Sequence, residues 1–187
     1  TASIPGAGKV VVTAEDGSTK ELETKNIVIA TGSEAAGLPG VTIAQVLAFT
    51  PVAFMLHAGV PRLIDAGVTL PGLHDGDPGR VALEAYPGLL ARSVLGSTSY
   101  KSDDKAKQTP ERLIARKDLI DALEQGRTRL QLRLRLSHAQ RDALVADASG
   151  DRLDAVLCLM QAGWASGRAD FGLPSAIDPL EGWIVGV

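Results

Sequence analysis

The sequence predicts an α/β fold, a mixed sheet with helices packed on it. Three observations carry that expectation. Two β-branched runs, KVVVT at 9–13 and NIVIA at 26–30, read as strands. Helix starts are written at Pro110-Glu111 and in the capping box of Ser137 and Gln140. A mostly apolar helical stretch over 151–166 stops at Gly167.

Taken in chain order, the first run leads to Asp16-Gly17, a hairpin turn signal. Residues 19–23 are the expected return strand. Residues 26–30 are apolar enough for a buried strand, ending at Thr31-Gly32-Ser33. Gly37, Pro39 and Gly40 make 34–43 a loop. From residue 44 the character changes. Residues 52–56 suit a strand or a helix start. Residues 62–66 are helical in pattern and stop at Gly67. PGLHDGDPG, 71–79, is a loop, and 80–85 a short apolar strand carrying Glu84 and ending at Pro87. The helix opened by Pro110 runs through Glu124 to Gly126. Leu130, Leu132, Leu134 and Leu136 alternate with polar residues, the period of a half-exposed strand. The capping box begins a helix over 138–147, and Ser149-Gly150 separates it from the last one. Residues 182–185 make an expected edge strand.

The chain has 187 residues, enough for one ordinary domain and marginal for two. A chain this long buries about 70% of its unfolded surface without disulfides or structural metal. Aromatics are only 4%, so Leu, Val, Ala and Ile must fill the core. A net charge of −3 argues against a nucleic-acid coat protein, which needs a positive surface. An enzyme touching nucleic acid through one local patch remains open. Cys158 is single and forms no intrachain disulfide. With no secretory-type leader, a cytoplasmic location is the expectation. No apolar run approaches the ~18 residues of a membrane span, so no membrane partner is expected. The oligomeric state is open.

Residues 8–43, GKVVVTAEDGSTKELETKNIVIATGSEAAGLPGVTI, resemble a stretch of dihydrolipoamide dehydrogenase, most tellingly in IVIATGSE and Leu38-Pro39-Gly40. The resemblance implies a strand and turn that pass a flavin. Flavin binding, however, needs a Gly-rich strand-to-helix turn. Gly6-Ala7-Gly8 precedes a strand and lacks the third Gly. A redox disulfide needs two Cys, and the catalytic His–Glu pair has no matching segment. FAD is therefore not expected. Residues 1–43 read as a β segment from one family, joined near 44–50 to a second piece, 44–187.

That second piece, over residues 50–187, resembles a bacterial family known as domain of unknown function 429, a predicted nuclease with a ribonuclease-H-like fold. The resemblance is carried by TPVAFMLHAGVPRL, RVALEAYPGLLAR, SYKSDDKAKQTPERL, SGDRLDAVLCLMQAGWA and DPLEGWIV. It implies two divalent cations, Mg²⁺ or Mn²⁺, about 3.5–4 Å apart between carboxylates and a scissile phosphate. It implies an Asp on the first strand, an acid on the fourth, and one or two on a late helix.

Glu84 matches the middle position and Asp151 and Asp154 the late helix; all three become candidate catalytic and metal-binding residues. A spacing of three puts the aspartates on one helical face. Each has a plainer alternative. Alternation puts Ala82 and Glu84 opposite Val81 and Leu83, so Glu84 suits a solvent face. Asp151 suits an N-cap, and Asp154 a first turn favoured by the helix dipole. The first-strand Asp should precede residue 50, where the flavoprotein-like segment stands, with only Glu15 or Asp16 nearby. The expectation is a metal-dependent nuclease domain that is impaired. A non-catalytic fusion remnant and a flavin-dependent oxidoreductase fragment are the alternatives.

Arg127, Arg129, Arg133, Arg135 and Arg141 form one basic cluster, in which Arg133 and Arg135 are candidate nucleic-acid contacts. An ordinary solvated strand face is the better-favoured explanation, given the acidic pI of about 5.6. His57, His74 and His138 lack metal-ligand spacing. His74-Asp75-Gly76-Asp77 suits a chelating or a solvated loop. Lys101, Lys105 and Lys107 with Asp103 and Asp104 read as mixed surface charge, and Cys158 as a small buried hydrophobe. No nucleophile-elbow pattern unites a Ser-His-Asp set.

Overall fold

A computed structural model describes residues 2–6, 9–14, 16–23, 50–177 and 182–186. The expected strand at 26–30, the loop at 34–43 and Glu15 lie outside the described residues.

The N-terminal part is an antiparallel meander. Strand β1 spans Ala2–Gly6, β2 Lys9–Thr13 and β3 Thr19–Glu23, in the order β1-β2-β3. The Asp16-Gly17 signal fixes the β2–β3 register, from Lys9 opposite Glu23 to Thr13 opposite Thr19. Asp16 Oδ1 accepts from the Ser18 N–H at 2.9 Å and the Ser18 hydroxyl at 2.6 Å. Gly17 has φ +80°, the left-handed conformation the turn requires. The hairpin was legible in the sequence; β1 was not, because ASIPG contains a Pro and little β-branching.

Helix α1 spans Thr50–Asp65 and resolves the strand-or-helix ambiguity at 52–56. Two short parallel strands follow, β4 (Val68–Thr69) and β5 (Asp77–Val81). The strand expected at 80–85 therefore starts earlier and stops before Glu84. Part of the expected 71–79 loop belongs to β5. Gly76 is required where it passes β4, since a Cβ there would lie 2.7 Å from the Val68 carbonyl carbon. Helix α2, Pro87–Leu95, begins where the sequence reading stopped at Pro87. The proline is at N1, where a missing N–H costs nothing.

Helix α3 (Pro110–Gln125) ends at Gly126 with φ +70°. Helix α4 (His138–Ala146) starts from the expected box: the Ser137 hydroxyl accepts from Gln140 N–H, and the Gln140 side chain accepts from Ser137 N–H. Helix α5 covers Asp151–Ser166. The core lies among these helices. Ala115, Leu119 and Leu123 recur every four residues along α3 and meet Leu90 and Ala91 of α2, Leu144 of α4, and Leu153, Leu157 and Met160 of α5.

The α/β class holds. The ribonuclease-H-like mixed sheet is absent among the described residues, which hold a three-stranded meander and a separate parallel pair. Two expected strands fail for identifiable reasons. Leu130, Leu132, Leu134 and Leu136 do turn inward, but against the helical core rather than within a ladder. Residues 182–185 meet the chain at one parallel bridge, Glu84 to Ile184.

Candidate functional site

The start of α5 is where the sequence places two of its three acids. Gly150 is the N-cap, at φ +79°, so Asp151 is the first helical residue and not the cap. The capping acceptor is Asp147, whose Oδ2 takes the Arg152 N–H at 2.9 Å while its Oδ1 takes the Ser149 hydroxyl at 2.8 Å. Burial pushes the Asp147 carboxyl up, but these hydrogen bonds outweigh it and leave the pKa below the usual value. Sequence reasoning missed this residue. The signal was available, an Asp three positions before a helix-opening Gly, but Asp151 competed for the same role. Asp151 is exposed and, among the described residues, accepts only from Ser149 Oγ, at 3.1 Å.

Asp154, one turn further along, carries a different load. Its Oδ1 accepts from the Tyr100 hydroxyl and its Oδ2 from the Lys101 ammonium. Tyr100 is 6% exposed, and burial together with the Asp154 carboxylate holds its phenol strongly protonated. The loop bearing both donors is clamped from behind. Arg116, 4% exposed, donates Nη1 to Tyr100 O at 2.9 Å and Nε to Val145 O at 2.8 Å. Arg112 donates to Lys101 O at 2.7 Å. Burial lowers the Arg116 pKa. Gly150 completes the clamp: a Cβ there would lie 2.7 Å from the Lys101 Cβ.

Glu84 is elsewhere. Its carbonyl accepts the Val185 N–H at 2.9 Å, and Val185 O accepts from the buried Gln161 amide at 2.7 Å. The Glu84 carboxylate faces Gly182, and burial raises its pKa. Gln161 lies seven residues beyond Asp154 on α5, about 10 Å along the axis. Glu84 thus pairs with the tail near the middle of α5, while Asp154 is tied to Lys101 near its start. A metal pair about 4 Å apart needs convergent carboxylates, and these do not converge. Among the described residues no three His, Cys, Asp or Glu side chains gather closely enough to hold a metal. The three expected ligands therefore do not fit Mg²⁺ or Mn²⁺ as a set.

The arginine cluster is likewise divided. Arg141 is spent on Asp121 and Glu124 of α3, Arg127 donates to Gln125 at 2.8 Å, and Arg133 donates to Glu124 O at 3.1 Å. Arg129 and Arg135 are exposed. His74 pairs its backbone with Leu70, and Asp77 opens β5 with its carboxylate on Gly79 N–H. Cys158 is buried as expected, and burial pushes its thiol up to about 11. No helix among the described residues is long and apolar enough to cross a membrane.

Comparison with known proteins finds only short stretches in common. No family model matches the chain, and no solved structure matches it. Short stretches match dihydrolipoyl dehydrogenases. The chain is 68% identical over 40 residues to dihydrolipoyl dehydrogenase 3 of Pseudomonas putida, covering 21% of this chain and 9% of that protein. It is 45% identical over 74 residues to the mitochondrial enzyme of Dictyostelium discoideum, covering 39% and 15%. The bovine mitochondrial enzyme matches at 55% over 40 residues, 21% and 8%. The chain thus spans less than a sixth of the length of these relatives, and the flavoprotein-like resemblance is confined to a fragment.

Proposed function

We propose that this chain is a non-catalytic globular fusion, a dihydrolipoyl-dehydrogenase-like β segment joined to a helical unit whose acids serve as caps and latches. Asp154 carries the reading. Both its oxygens are taken by Tyr100 and Lys101, and Arg116 and Arg112 hold those donors in place. Asp147 is committed to the start of α5. A metal-dependent nuclease needs Glu84, Asp151 and Asp154 around one metal pair and a nucleic acid along Arg133 and Arg135. That reading rests on the family resemblance alone.

The test is urea unfolding of the whole chain in EDTA and in millimolar Mn²⁺. A site at 100 times its dissociation constant adds about 2.7 kcal/mol. The latch reading expects no gain. A gain of that size, lost in Asp154→Asn, would overturn it in favour of the nuclease.

The short matches favour one second reading, a flavin-dependent dihydrolipoyl dehydrogenase fragment. It requires flavin absorbance in the purified chain, where the leading reading expects none.

A further inference from the structure

The segment between α3 and α4 offers an edge with nothing on it among the described residues. Residues 131–136 alternate exposed and inward side chains: Gln131, Arg133 and Arg135 face solvent, while Leu132, Leu134 and Leu136 pack on the helical core. That alternation is the pattern of an extended ribbon, and no strand lies beside it among the described residues. Its backbone is paired on one side only. Leu134 N–H donates to Leu123 O at 3.0 Å, so the edge carrying the amides of 132, 134 and 136 turns to α3. N–H and C=O groups of successive residues alternate between the two edges of an extended chain. The opposite edge therefore presents the N–H and C=O of Arg133 and Arg135; Gln131, at φ +56°, belongs to the preceding turn. Among the described residues none of these Arg133 and Arg135 backbone groups has a partner.

Charge says what would pair there. Exposed Arg135 lies at the open edge with exposed Arg129 near it in the chain, and Arg133, also exposed, gives its Nε to Glu124 O at 3.1 Å. The carboxylates bonded in this region, Asp121 and Glu124, are already held by Arg141. The chain as a whole is acidic, at net −3, so this basic ribbon is a local feature. We propose that residues 131–136 are a β-addition site for an extended acidic segment of a partner protein. Such a segment would pair its backbone with Arg133 and Arg135 and set carboxylates at alternate positions against their guanidinium groups. A nucleic acid would use the arginines but leave the backbone donors and acceptors unmatched, which favours the peptide.

The experiment uses the full chain and three fluorescein-labelled probes: an alternating Glu-Val dodecapeptide, its Lys-Val counterpart, and a twelve-nucleotide oligothymidylate. The Glu-Val peptide should bind at least tenfold tighter than either other probe. Arg135→Glu, at a side chain with no internal hydrogen bond, should weaken it at least tenfold without lowering the melting temperature. Arg135→Pro, which removes one edge N–H, should weaken it as well. Equal or tighter binding of the oligonucleotide, no preference between the peptides, or binding that survives either substitution would each overturn the proposal.

Discussion

Arg116→Met isolates the clamp behind the Tyr100 loop. The arginine is 4% exposed and spans three parts of the chain, from α3 to the Tyr100 carbonyl and the Val145 carbonyl near the end of α4. Methionine keeps the aliphatic bulk and removes both hydrogen bonds. Each is a charged-donor bond of about 1.5–3 kcal/mol, and each leaves a carbonyl in poor contact with water. Removing a buried cation returns part of that, because its desolvation penalty vanishes. The expected net loss is about 3 kcal/mol, or about 6–12 °C in melting temperature for a chain of this size. Urea denaturation followed by circular dichroism measures it. A midpoint within 0.5 kcal/mol of wild type, with an unchanged slope, would refute the clamp. An altered slope would show instead that the unfolded state had changed.

Two further predictions follow from single side chains. Ser137→Ala removes one half of the capping box and should cost about 1 kcal/mol by the same urea assay, whereas Ser137→Gly should cost a few tenths. Cys158 has its thiol raised from 9.0 to about 11. The raised value stabilises the fold fully below pH 9, and that contribution is lost as pH rises from 9 to 11. The loss amounts to about 3 kcal/mol. Iodoacetamide at pH 8 should accordingly label the folded chain at least tenfold more slowly than the urea-unfolded chain, and equal rates would contradict the burial.

The sequence was most legible where a short-range rule decides the outcome. The Asp16-Gly17 hairpin, Pro110 at N1, the Ser137–Gln140 box and the stops at Gly126 and Gly167 all depend on neighbours within about four positions. It was least legible where a long-range partner decides. The alternation over Leu130–Leu136 is genuine, but a helical core satisfies it as well as a sheet does, and only tertiary contacts choose. Helix α2 was hidden because Pro87 reads equally as a strand stop and as N1. The candidate site failed for the same reason. Spacing placed Asp151 and Asp154 together on α5, but it carried no information on Tyr100 and Lys101, more than fifty residues earlier, which claim Asp154. Nor did it show Glu84 paired with the tail residue Val185.

The central claim is that Asp154 is a latch to the Tyr100–Lys101 loop, and a double-mutant cycle between Tyr100→Phe and Asp154→Asn, run in EDTA, tests it most directly. Residues sharing a hydrogen bond couple by about 0.5–3 kcal/mol. Each single variant should be destabilised without metal, and the pair should show coupling of at least about 1 kcal/mol. Additive losses, or an Asp154→Asn chain as stable as wild type in EDTA, would contradict the latch and return Asp154 to the list of unclaimed carboxylates.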